Sequence, residues 1–134
     1  LGGVVAYEMA YRLQLLGHEC KPILLIDSPT PYSGEKPDEN DLHLWFSEDY
    51  GDSLDTLDEK AKKSLYRLFC NNLEALRSYS PPKTSMPLIQ WKAEIQDLDH
   101  LKLHPDRNAP DWGWHRFTSG FIELNSLNAT HISV

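Results

Sequence analysis

The apolar positions at the start of the chain fall into two blocks with different rhythms. Between residues 4 and 16, Val5, Met9, Leu13 and Leu16 recur along one face at helical spacing, and Ala6 and Ala10 supply small positions for close packing. This pattern predicts a helix buried against a sheet and ended by Gly17 as its C′ residue. In "KPILLIDSP" the helical rhythm stops. Ile23 to Ile26 is apolar without alternation, as expected of a central parallel strand covered on both faces, and Asp27 is its first polar residue. A helix, a glycine and a buried strand make half of a right-handed crossover unit.

Pro29, Pro31, Gly34 and Pro37 then mark a turn-rich linker into a helical insertion. A helix is predicted near 41–50, with Asn40 or Asp41 as its N-cap and Gly51 as its stop. The strongest amphipathic pattern is "TLDEKAKKSLYRLFCNNLEALRSY". Thr56 and Glu59 have capping-box spacing there, Leu57, Ala61, Leu65, Leu68, Leu73 and Leu76 repeat at helical intervals, and Pro81 and Pro82 close the segment. "MPLIQWKA" at 86–93 and "GFIELNSL" at 120–127 read as strands, the latter with Ile122, Leu124 and Leu127 on or near the covered face. A loop-like stretch rich in Asp, Pro and Trp separates them. The fold class is therefore α/β with a mostly parallel sheet, although three strands are few for such a sheet.

Composition narrows this picture. A chain of 134 residues with 40% hydrophobic and 25% charged residues is an ordinary single globular domain. The formal net charge of -7, spread along the chain, argues against a nucleic-acid partner. Cys20 and Cys70 lie far apart without metal-ligand spacing, so neither a disulfide framework nor a zinc site is expected. No apolar run approaches the ~18 residues of a membrane span. The first residues also lack the basic start of a signal peptide, so a cytoplasmic protein with no membrane partner is expected.

Working groups of open parallel sheets gather at the carboxyl ends of the strands. Asp27 stands at one such end, and His131 follows the last strand, where it is the histidine best placed to meet Asp27. A carboxylate that accepts the Nδ1 proton of a histidine sets the tautomer in which Nε2 acts as a base. The pair lacks a nucleophile. Gly2 and Gly3, directly ahead of the first helix, suggest where one would stand: in a Gly-x-Ser-x-Gly elbow with Leu1 just after the serine and Gly2 as the second glycine.

With these residues in place, "LGGVVAYEMAYRLQLLGHE", "ILLIDSPTP" and "GFIELNSLNATHISV" resemble the thioesterase domains that end polyketide synthases and nonribosomal peptide synthetases, together with their stand-alone editing relatives. The resemblance implies an α/β-hydrolase fold, here in part, with residues 1–35 and 83–134 as hydrolase core and 36–82 as a helical lid. It implies that Asp27 orients the histidine, that His131 is the general base and acid, and that Leu1 gives a backbone N–H to the oxyanion hole. The serine would lie in an upstream segment of the same domain. The implied reaction cleaves an acyl, polyketide or peptidyl thioester from the phosphopantetheine arm of an acyl or peptidyl carrier protein, through a covalent acyl-enzyme resolved by water or a substrate nucleophile. No metal or soluble cofactor is implied.

Plainer readings stand beside these. Asp27 could simply cap the turn at Ser28 and Pro29, and His131 could be a solvated side chain. His18, His43, His100, His104 and His115 read as structural or surface residues. His100 and His104 have i,i+4 spacing, but Pro105 follows and a third zinc ligand is missing. Trp45, Phe46, Tyr50, Tyr66 and Phe69 read as lid core, with a share of them lining an acyl channel. Asp97 and Asp99, after the second strand, are the substitutes for Asp27. Two rival functions remain: a dinucleotide-binding half-domain, which the paired glycines, the helix and the strand-terminal acid imitate, and a hydrolase scaffold that binds without catalysis.

Overall fold

The computed structural model of the chain describes residues 1–32 and 34–133. Helix α1 (Gly2–Leu15) leads into strand β1 (Ile23–Ile26), followed by helices α2 (Glu39–Tyr50) and α3 (Glu59–Ser78), strand β2 (Leu88–Ile95), the short helix α4 (Asp99–Lys102) and strand β3 (Ile122–Thr130). The three strands form one parallel sheet in the order β1-β2-β3, with Ile23 beside Leu88 and Leu88 beside Ile122. Among the described residues, no helix is long and apolar enough to cross a membrane.

One face of this sheet carries the core. Ile23, Leu25 and Leu88 pack with Val4, Tyr7 and Ala10 of α1, with Leu98 and Leu101, and with the fully buried Trp112 and Trp114. The expectation of a strand covered on both faces is corrected here. Leu24 and Ile26 point away from the core and are each 53% exposed, because among the described residues all packing falls on the Ile23–Leu25 side.

The buried face of α1 also differs from the expected one. Val5, Met9, Leu13 and Leu16 are 42–74% exposed, and the sheet receives Val4, Tyr7 and Ala10 instead. Two contacts set this rotation. A Cβ on Gly3 would lie 2.2 Å from Ser28 Oγ and 2.8 Å from Leu25 Cδ2, so α1 approaches β1 edge-on at a position only glycine tolerates. The Tyr7 hydroxyl, in turn, lies 2.7 Å from the Phe117 carbonyl and 2.8 Å from Thr84 Oγ1, which fixes its side of the helix inward. Crowding thus falls on Gly3, whereas a Cβ on Gly2 meets nothing within 4 Å among the described residues. Gly17 does end the helix as expected, at φ +83°. Its N–H donates to Gln14 O and that of His18 to Leu13 O, which is a Schellman closure.

The other boundaries shift for local reasons. Asp38, not Asn40 or Asp41, caps α2: its side chain accepts from Asp41 N–H while the Asp41 carboxylate accepts from Asp38 N–H, a reciprocal capping box. Thr56 does not cap α3. It sits in a 3₁₀ turn (Gly51–Thr56) with its hydroxyl donating to Ser53 O, and Asp58 accepts from Ala61 N–H instead. Strands β2 and β3 begin two residues later than the sequence pattern suggests. Pro87 has no N–H for a ladder, and the first β2 donor is Leu88 N–H, to Phe121 O. On β3, Ile122 is half-buried as expected, but Leu124 is 47% exposed at the sheet's far edge.

Helices α2 and α3 hold each other through aromatic contacts. Phe46 meets Tyr50, Tyr66 and Phe69 at ring-centroid distances of 5.1–5.5 Å. Four of the five aromatics of this segment thus pack together between α2 and α3. Trp45 faces elsewhere, towards His100 at 6.0 Å.

Candidate active site

Asp27 leaves the end of β1 with a positive φ of 37°, an uncommon conformation for a residue with a side chain. Its N–H remains in the ladder by donating to Trp91 O at 2.7 Å, so the turn starts at the last sheet bond. The side chain is fully buried. Oδ1 accepts from the Trp112 indole N–H at 2.8 Å and from the Ala93 backbone N–H at 3.0 Å, and Oδ2 lies 2.7 Å from His131 Nδ1. Burial pushes this carboxyl upward, but the hydrogen bonds from His131, Trp112 and Ala93 together outweigh it and hold the group below its ordinary value. Asp27 is therefore an anion at neutral pH, and His131 is its neighbour with Nδ1–H as the donor. With Nδ1 turned to the carboxylate, Nε2 is the nitrogen left to act as a base in the neutral ring, and it has no hydrogen-bond partner among the described residues. The imidazole is one-third exposed, so Nε2 is reachable.

Trp112 owes its place to a second set of contacts. Lys92 Nζ stands 4.1 Å over its ring while donating to Ala109 O at 2.7 Å, so the indole is clamped between an ammonium and the Asp27 carboxylate. Burial pushes the Lys92 ammonium down, and the Asp27 and Asp111 charges act in the opposite direction. Trp114, two residues on, donates its indole N–H to Ser28 O at 2.7 Å and so fixes the turn after Asp27. These two tryptophans come from the stretch that sequence alone presented as a loop. The signal that could have found them is "DWGW": two large apolar rings around Gly113, whose φ of +84° turns the chain so that both point inward.

Leu1 is the N-cap of α1, and its carbonyl accepts from Val4 and Val5 N–H. The N–H groups of Leu1, Gly2 and Gly3 are left without intrahelical partners, at the positive end of the helix dipole. Leu1, Gly2, Gly3, Asp27, Ser28 and His131 line one cavity of about 360 Å³. The structure thus brings Asp27, His131 and Leu1 together. It does not bring Asp97 or Asp99 to His131. Asp99 pairs with Lys102 at 2.7 Å, and its N–H donates to Glu48, so the substitution of either acid for Asp27 is set aside.

The remaining histidines divide clearly. His104 Nδ1 accepts from Asp106 N–H at 3.1 Å and Nε2 faces Thr30 O at 2.9 Å, which uses both ring nitrogens in the core. His115 lies 2.8 Å from Asp111 and repeats the carboxylate–imidazole contact of the site. However, the ring is 61% exposed and Asp111 is held by the His115 and Gly113 N–H groups, making a loop staple. His43 stacks on Tyr66 at 4.5 Å.

A carboxylate-fixed histidine at the carboxyl ends of a parallel sheet, sharing a cavity with the N-terminus of the helix ahead of the first strand, is an arrangement of α/β-hydrolases, and the α/β-hydrolase thioesterases share this fold. The chain belongs to the thioesterase domain family, whose model matches residues 1–134. It is 26% identical to malpinin synthetase of Mortierella alpina over 138 residues, covering 97% of this chain and 2% of that protein. Among solved structures it resembles a four-domain nonribosomal peptide synthetase bound to AMP and glycine (TM-score 0.71, 22% identity, 97% of this chain and 12% of that one). It also resembles the thioesterase domain that cyclises the lipopeptide antibiotic surfactin (TM-score 0.65, 17% identity, 97% and 55%). The chain therefore spans a small part of the synthetases and about half of the isolated domain. Family membership excludes the dinucleotide-binding alternative, and the acid that would hold a ribose is occupied by His131.

Proposed function

We propose that this chain is the part of a thioesterase that holds its acid and base, and that the complete site releases an acyl, polyketide or peptidyl chain from the phosphopantetheine thioester of a carrier protein. The observation that carries this reading is the 2.7 Å contact of His131 Nδ1 with the buried Asp27 carboxylate, in one cavity with the N-terminus of α1. The nucleophile is a serine in the segment preceding Leu1. Its Oγ attacks the thioester carbonyl as its proton passes to His131 Nε2, and the resulting imidazolium is stabilised by Asp27. The Leu1 N–H faces the developing oxyanion. The C–S bond then breaks, and the thiolate of the arm takes the proton from His131. Water, or a hydroxyl or amine of the bound chain, loses its proton to Nε2 in the second half and attacks the acyl carbonyl, and as the C–O bond to the serine breaks its Oγ takes that proton back from His131. Hydrolysis and ring closure differ only in that second nucleophile. The similarity to the surfactin-cyclising domain and to a nonribosomal peptide synthetase supports a carrier-bound substrate.

Helices α2 and α3, with the linker before them, act as the lid. A cleft of about 300 Å³ runs from Leu1 and Val4 past Pro29 and Pro31 to Trp45 and Leu76, and its apolar walls suit an acyl chain. The test is turnover of a pantetheine-linked acyl thioester by the protein carrying this segment and its serine. Loss of turnover in His131→Ala with retained folding is expected. Turnover within a few-fold of the unaltered protein would favour a scaffold that binds without catalysis.

A further inference from the structure

Near His131, two polar side chains from different elements face each other without a hydrogen bond. Asp49, on the last turn of α2, and His100, on α4, approach each other at 3.9 Å between Oδ1 and Nδ1, beyond hydrogen-bonding range. Among the described residues, His100 Nδ1 is buried and has no hydrogen-bond partner, while the ring lines the acyl cleft beside Leu1 and Trp45. Burial pushes the imidazole down to about 4, so it is neutral at pH 7. Burial likewise pushes the Asp49 carboxyl up, and its neighbours His131 and the Leu1 amino group act against that shift. Among the described residues, no Lys or Arg lies within 4.0 Å of Asp49. The molecule therefore places a carboxylate with no Lys or Arg beside it and a neutral ring with an unpartnered nitrogen side by side, among the described residues, close to His131. A group with several N–H bonds and a positive charge satisfies both. One at ~2.8 Å from each atom would bridge them with an angle of roughly 90° at its nitrogen.

We propose that Asp49 and His100 form a subsite for a cationic amine carried by the acyl group near its thioester carbonyl, so that the enzyme prefers aminoacyl-type chains over their plain alkanoyl counterparts. This rests on the thioesterase function proposed above. Asp49 Oδ1 and His100 Nδ1 accept from the ammonium, and the apolar cleft beyond takes the rest of the chain. Neither residue takes part in the proton transfers of His131. They fix which acyl group is presented to it.

The experiment compares kcat/KM for alanyl, β-alanyl and propanoyl N-acetylcysteamine thioesters in the protein carrying this segment and its serine. A ratio within one preparation is independent of the fraction folded. A preference for an amine-bearing substrate of about tenfold or more is expected, falling towards unity in Asp49→Asn and rising again in Asp49→Glu. Binding of the matching amides is followed in parallel by the ring-nitrogen NMR signals of His100, which are expected to shift with the amine-bearing amides and not with the propanoyl one. Equal turnover of all three thioesters with silent His100 signals would mean that the pair holds water alone, which overturns the subsite and leaves the thioesterase function standing. Asp49-dependent binding of the amine-bearing amides without turnover of any thioester would do the reverse.

Discussion

The two sides of the site are built on opposite terms. On the sheet side, each oxygen of the Asp27 carboxylate is engaged: the Trp112 indole and the Ala93 backbone hold Oδ1, and His131 holds Oδ2. Those partners are themselves fixed, Ala93 by the β2 ladder and Trp112 by its clamp against Lys92. On the other side, Asp49 and His100 stand close without bonding, and a buried ring nitrogen has no partner among the described residues. An unmet buried polar atom costs about 1–3 kcal/mol, so a fold keeps one only where something else repays it. The contrast teaches that the Asp27–His131 pair is held in place by the core, whereas Asp49 and His100 are left with bonding capacity that the proposed amine subsite would use.

This contrast can be broken most forcefully at the pair itself. His131→Ala is expected to lower thioester turnover by about 10⁴-fold or more, and Asp27→Asn by about 10⁴-fold, because an amide in place of the carboxylate favours the wrong tautomer of the ring. Steady-state kinetics on purified, folded protein measure both. A middle-sized effect is expected one layer back. Trp112→Phe leaves Asp27 Oδ1 with the Ala93 N–H alone and removes the surface under Lys92, so stability should fall by about 1–3 kcal/mol in urea titration. A similar loss of about 1–3 kcal/mol is expected for Gly3→Ala, since its Cβ would overlap Ser28 and Leu25 at the junction of α1 and β1.

The smallest effect sharpens the lid side. His100 titrates near 4 in the folded protein and near 6.5 when unfolded, so the unfolded state binds the extra proton first as pH falls. Stability therefore drops as pH goes from about 6.5 towards 4 on this residue's account, and levels off below that. The His100→Gln variant should show a flatter melting temperature than the unaltered protein over that window. An unchanged slope would show that the ring is not held neutral by burial.

The parts of this design that the sequence reveals are those fixed by local pattern. Asp27 is legible because it is the first polar residue after an unbroken apolar strand, and His131 because it follows the last strand at the same end of the sheet. The α/β order is legible from the change of rhythm between residues 4–16 and 23–26. What stays hidden depends on contacts distant in sequence. The stripe Val5, Met9, Leu13, Leu16 is the more hydrophobic face of α1, yet the face that docks is chosen by the fit of Gly3 on Ser28 and by the Tyr7 hydroxyl meeting Phe117, more than a hundred residues away. Trp112 and Trp114 sit in a segment without periodicity, and hydrophobic patterning is silent there. Asp58 displaces Thr56 as the α3 cap because the preceding 3₁₀ turn already uses the threonine hydroxyl. The Asp49–His100 contact joins two helices 51 residues apart, and neither residue carries a motif.

The central claim is that Asp27 and His131 activate a serine placed just ahead of Leu1. The most direct measurement is active-site labelling with a fluorophosphonate, followed by peptide mass spectrometry across the Leu1 junction of the whole protein. The account predicts a single phosphonylated serine immediately before Leu-Gly-Gly, with labelling strongly slowed in Asp27→Asn and in His131→Ala. A label at another residue, or one that forms at the same rate in both variants, would contradict it.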